Sequence, residues 1–129
     1  MVMNEILENL YLGDEQDARD FWLSQEPLYT SFDLRGWKLD LEGVTDEHVK
    51  LLTILADTIE FARSLGPVLV YCHAGIDRSP FAVAVYITLK YGLIAPEHAY
   101  ELVKQQRPQT IVHDDWMREF IQKHGGTKE

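Results

Sequence analysis

The stretch Val70-Tyr-Cys-His-Ala-Gly-Ile-Asp-Arg-Ser-Pro80 contains the only cysteine of the chain. It overlaps PVLVYC (67–72), a short and almost continuous apolar run of the kind found in strands buried on both faces. It is followed by RSPFAVAVYITLKYG (78–92), apolar nearly all round, which predicts a helix through the middle of the domain and not along its surface. The stretch is therefore a turn from a buried strand into a buried helix. In open α/β sheets ligands bind at the carboxyl ends of strands, and a helix N-terminus offers unpaired N–H groups and a positive dipole end to an anion.

The residue types suit such a turn. The loop His73, Ala74, Gly75, Ile76, Asp77 is the right size to wrap a phosphate, and Gly75 permits the close backbone approach or positive φ that a cradle needs. A free thiol titrates near pH 8.5, but beside a helix N-terminus and cationic groups the value falls to about 3.5–7.5, which makes Cys72 a candidate nucleophile. Arg78 brings a planar fork that matches two phosphoryl oxygens and binds more tightly as charge builds in the transition state. Ser79 is placed to donate its hydroxyl to the sulfur when the thiolate leaves.

Working outward, Thr45 is read as the N-cap of a long helix, TDEHVKLLTILADTIEFARSLG (45–66). Asp46 and Glu47 lie in its first turn, Val49, Leu52, Leu55, Ala56, Ile59, Ala62 and Leu65 on one apolar stripe, and Gly66 closes it. LYTSFDL (28–34) has the composition of a strand. Asp14, Pro96 and Asp114 act as start signals for helices at about 14–24, 96–106 and 113–124, with Arg107-Pro108 as a stop. The expected fold is α/β: a central, mostly parallel sheet of about four to five strands flanked by helices, in one domain over residues 1–129.

Composition narrows the function. Twelve basic against 21 acidic residues give a net charge of −9, which argues against a nucleic-acid or anionic-membrane footprint and leaves any attraction for a phosphorylated substrate to one local pocket. The lone cysteine excludes an internal disulfide, and the N-terminus lacks a signal-peptide layout, so a cytoplasmic protein is expected. The five histidines form no metal-ligand spacing with one another or with Cys72, and neither a metal nor another cofactor is expected.

The segment CHAGIDRS (72–79) resembles the Cys-x5-Arg-Ser/Thr signature of the protein tyrosine phosphatase superfamily, most closely its small dual-specificity branch. ILENLYLGDEQDA (6–18) resembles that branch's opening strand pair, and HAYELVKQQRPQTI (98–111) its later helix ending in Arg-Pro. The resemblance implies a phosphatase acting through a phosphocysteine on phosphorylated proteins or peptides. Cys72, Arg78 and Ser79 would be catalytic, and residues 73–78 would bind the phosphate. It also implies a carboxylic acid on a separate segment facing the loop. In KLDLEGVTDEHV (38–49) Asp40 holds the corresponding position, ahead of Asp33, Glu42 and Asp46. Phosphoinositide or RNA 5′-phosphate substrates, and a catalytically weak phospho-binding module, are the alternatives. A resolving cysteine for arsenate reduction is absent.

Two residues depart from the family pattern. Tyr71 stands where the family carries a histidine that orders the loop and sets the thiol's pKa. Asp77 places a carboxylate inside the loop, and it is expected to face outward or to cap the helix. Tyr11, Phe21, Trp22, Trp116 and Phe120 are expected in the core. Trp37 is a candidate either for the cleft wall or for packing the hinge before Asp40.

Overall fold

The computed structural model describes residues 3–23, 30–39, 43–92 and 95–126. Four strands form one sheet in the order β1-β2-β4-β3: β1 (Asn4–Leu7), β2 (Leu10–Gly13), β3 (Thr30–Asp33) and β4 (Val68–Tyr71). β1 and β2 are antiparallel, and β2 and β3 both run parallel to β4. The sheet is thus mostly parallel with an antiparallel edge. Gly13 and Asp33 both pair with Tyr71, so the carboxyl ends of three parallel strands finish at one level beneath the predicted loop.

Alternation along β4 sorts its side chains between two cores. Val68, Val70 and Cys72 face the larger one, and Leu69 and Tyr71 face a smaller one with Ala18 and Phe21. The smaller core is covered by α1 (Glu15–Leu23). The larger one is built by α2 (Asp46–Arg63), α3 (Arg78–Lys90), α4 (Pro96–Gln106) and α5 (Asp114–Gly126). Every residue of α3 from Ser79 to Ile87 is buried, as an all-round apolar sequence requires. The loop that precedes it is therefore mounted on the most enclosed helix described.

Thr45 caps α2 as expected. Its hydroxyl accepts from His48 N–H, and His48 Nδ1 completes a reciprocal capping box with the backbone N–H of Thr45. The expected stripe is buried up to Ala62, but Leu65 is 51% exposed: the helix ends at Arg63, and the turn that follows carries Leu65 off the stripe. Trp22 is likewise an exception among the aromatics. It is 55% exposed, its indole N–H donating to Ser31 Oγ at 2.9 Å while its ring meets the Tyr71 ring edge-on. Phe21, Trp116 and Phe120 are buried, and Tyr11 packs half-buried against the smaller core.

Candidate active site

Residues 73–77 connect Cys72, 2% exposed at the end of β4, to Arg78 at the start of α3. Each carbonyl of this loop is claimed by a donor from outside it. His73 O accepts from Glu15 N–H at 3.3 Å, Ile76 O from Ile111 N–H at 2.8 Å and Asp77 O from Phe81 N–H at 3.2 Å. Gly75 O accepts from Arg107 Nε at 2.7 Å and Ala74 O from Arg107 Nη2 at 3.4 Å. In a trans peptide the C=O and the following N–H point in opposite directions. Turning the carbonyls of 73–77 outward therefore turns the N–H groups of 74–78 toward the inner side of the loop, around the cysteine. That is the wiring of an anion-binding nest.

Gly75 is required by both conformation and space. Its φ is +70°, and a Cβ there would lie 2.4 Å from Gly13 O and 2.7 Å from Arg107 Nη2. The loop presses onto the end of β2 and the arginine at once, which only glycine allows.

Arg107 is the residue that sequence reasoning read too narrowly, as part of a helix stop. It is 2% exposed and, besides the two loop carbonyls, donates to Asn4 Oδ1 at 2.6 Å. Burial lowers its pKa, opposed by the charges of Asp17, Asp14 and Cys72. The nearby carboxylates make this buried cation tolerable. Asp14 and Asp17 exchange bonds with each other's backbone N–H at the start of α1. Burial pushes the Asp17 carboxyl up, while bonds from Asp17 and Gln16 outweigh burial and hold Asp14 down.

Of the predicted catalytic side chains, those of Cys72 and Ser79 meet at this loop. Cys72 Sγ lies 3.3 Å from Ser79 Oγ, both buried, so the hydroxyl is at hydrogen-bond range of sulfur. Arg78 Nη1 donates to Arg35 O at 2.6 Å and Trp37 O at 3.2 Å, which ties the arginine to the segment after β3. Trp37 packs half-buried on the core and stacks on His48, 5.8 Å between centroids, so it packs the hinge. Asp40 and Glu42 lie outside the described residues. Asp33 bonds Arg35 through both carboxylate oxygens, which holds it below the usual carboxylate range, and Asp46 sits exposed in the first turn of α2.

The rim is polar. His73 Nδ1 lies 3.3 Å from Glu15 Oε1, and Arg35 bridges Glu15 and Asp33, so the side chain of His73 points along the surface. Asp77 occupies the N-cap position of α3 but makes no capping bond; its carboxylate meets His113 Nε2 at 2.7 Å, so it faces outward without capping. Tyr71 faces the α1 side of the sheet, its ring beneath the Arg35 guanidinium at 5.5 Å. Burial, followed by the charge of Asp33, raises its pKa. The tyrosine thus fastens the ends of β3 and β4 together from the face opposite Cys72.

The chain matches the family model described as "Dual specificity phosphatase, catalytic domain" over residues 11–125. It belongs to that family. Among solved structures, human DUSP28 is similar at 18% identity, with 98% of this chain and 95% of that one covered and a TM-score of 0.70. DUSP15 is similar at 24% identity over 98% and 88% of the two chains, with a TM-score of 0.72. A mouse putative dual specificity phosphatase complexed with zinc tungstate is similar at 19% identity over 95% and 90%, also with a TM-score of 0.72. No curated protein sequence matches the chain significantly. The α/β architecture is thus that of the dual-specificity phosphatases, and the loop from Cys72 to Arg78 occupies the turn expected of this phosphatase's signature.

Proposed function

We propose that this phosphatase hydrolyses phosphotyrosine, and phosphoserine and phosphothreonine as well, on protein substrates through a phosphocysteine intermediate. The observation that carries the reading is the loop around Cys72, whose outward carbonyls leave a continuous set of inward N–H groups for the three non-bridging phosphoryl oxygens. In the first step the Cys72 thiolate forms the S–P bond as the P–O bond to the leaving group breaks, and Asp40 transfers its proton to that oxygen. In the second step the Asp40 carboxylate takes a proton from water, the water oxygen bonds to phosphorus and the S–P bond breaks, with the Ser79 hydroxyl donating to the departing thiolate. Arg78 holds the equatorial oxygens throughout.

A protein substrate is favoured by charge and by depth. The loop holds no lysine and carries Asp77, which suits a single phosphomonoester better than a multiply phosphorylated headgroup or a 5′-triphosphate. By analogy with the small members of the family, a shallow cleft would admit the shorter phosphoserine and phosphothreonine as well as phosphotyrosine.

Steady-state assays under reducing conditions, between pH 5 and 8, on phosphotyrosine, phosphoserine and phosphothreonine peptides and on short-chain phosphoinositides test the assignment. Turnover of peptides above phosphoinositides is the expected result. Turnover confined to phosphoinositides, or none on any substrate, overturns it. Asp40→Asn is expected to reduce kcat on phosphotyrosine peptide by about 10²–10³-fold, and far less on para-nitrophenyl phosphate, whose leaving group needs little protonation. Vanadate inhibition should persist in that variant. Equal losses on both substrates would move the acid elsewhere.

A further inference from the structure

Asp77 poses a problem that the fold solves with a residue outside the loop. Its carboxylate belongs to the segment that must take a phosphoryl dianion, and it is the immediate neighbour of Arg78. Left unrestrained, it would be an intramolecular anion competing with phosphate for the arginine and for the loop's N–H groups. Instead its Oδ1 lies 2.7 Å from His113 Nε2. An ionised carboxylate only accepts, so Nε2 carries the proton and donates.

His113 is itself fixed from three sides. Its ring stacks on Trp116 with centroids 3.6 Å apart and planes 10° from parallel, and its backbone N–H donates to Tyr100 Oη at 3.2 Å. Trp116 is 4% exposed and meets the buried Phe81 of α3 edge-on at 5.5 Å. Two residues earlier, Ile111 N–H bonds Ile76 O, so the backbone of the same segment is sewn to the loop. This much restraint on a surface-reaching imidazole makes it a donor held at a set place.

We propose that His113 is a positioning residue that holds the Asp77 carboxylate out of the phosphate site and so sets the affinity of the loop for anions. The proposal rests on the reading of residues 73–78 as a phosphate site. His113→Phe keeps an aromatic ring on Trp116 and removes the donor, so the fold should survive, with a thermal midpoint close to that of the wild type. KM for para-nitrophenyl phosphate and the inhibition constant of inorganic phosphate should both rise about tenfold, with kcat changed by no more than about twofold. In the double variant Asp77→Asn/His113→Phe both constants should recover most of the way.

A merely structural histidine would give no such recovery, because removing a charge at residue 77 does not restore packing at residue 113. Wild-type constants in His113→Phe, or a double variant as impaired as the single one, would overturn the proposal. Calorimetric titration of the same proteins with inorganic phosphate reads the affinity without turnover. A wild type that binds phosphate but hydrolyses nothing would therefore sink the enzymatic reading and leave this proposal to be decided by the variants.

Discussion

Cys72→Ser is expected to lower turnover of para-nitrophenyl phosphate by about 10⁴-fold or more, to the limit of detection, since the proposed phosphocysteine route depends on the thiol. Cys72 is the only cysteine, so no second thiol can substitute for it. The change is nearly isosteric at a position 2% exposed, and the sulfur's partner, Ser79 Oγ at 3.3 Å, remains able to bond an oxygen. The fold and the inward N–H groups should therefore persist, and a phosphotyrosine peptide should still bind. Calorimetry on the variant and turnover on the same preparation check both halves. Measurable turnover in Cys72→Ser would remove the nucleophile assignment.

The second large effect is expected far from sulfur, at Arg107. Arg107→Met keeps length and apolar volume but strips the donors from Gly75 O, Ala74 O and Asn4 Oδ1, and leaves the charges of Asp14 and Asp17 without their buried counterpart. Breaking a buried, hydrogen-bonded charge costs about 3–5 kcal/mol, which lowers the thermal midpoint of a domain this size by roughly 10 °C or more. Catalysis should fall further than stability, because two of the loop's carbonyls are then free to rotate and carry the N–H groups of Ile76 and Gly75 with them. We expect kcat/KM to drop by about 10²-fold or more in the folded protein, near the loss on removing an oxyanion donor. Arg107→Lys keeps the charge but has no fork to reach Gly75 O and Asn4 together, and should fall between. Thermal melts with and without inorganic phosphate, set beside steady-state kinetics, separate the two effects. A folded Arg107→Met of normal activity would show that the loop holds its own shape.

What could be read from the chain alone follows the range of the interactions involved. β4, α2, α3 and α4 were legible because their signals are local: a continuous apolar run, a threonine cap with a periodic stripe, an all-round apolar segment, and a proline start before Arg107-Pro108. The candidate site could be picked out for the same reason, since Cys72, Gly75, Arg78 and Ser79 lie within one strand-to-helix turn. Leu65 failed because periodicity says nothing of where a helix stops, and Trp22 because its polar partner, Ser31, lies on another element.

Arg107 and His113 were hidden by distance along the chain. Arg107 reaches Gly75 across 32 residues and Asn4 across 103, and His113 reaches Asp77 across 36. Spacing carries no information at that range. The one sequence-level sign was Asp77 itself, a carboxylate in an anion site, which implied a partner without saying where. Tyr71 was visible as a departure, yet its pairing with Arg35 and the smaller core emerges only once α1 is laid across the sheet.

The donors that hold the loop's carbonyls come from the start of α1, the first turn of α3, the end of α4 and the segment before α5. No stretch of the chain can assemble that loop alone. Its geometry is therefore a property of the finished tertiary structure, and the competent site disappears with any opening that releases one of those four parts, well before secondary structure is lost. Catalytic activity in this chain reports the integrity of the whole domain, so a substitution remote from the cysteine acts on the reaction as soon as it loosens one of those attachments.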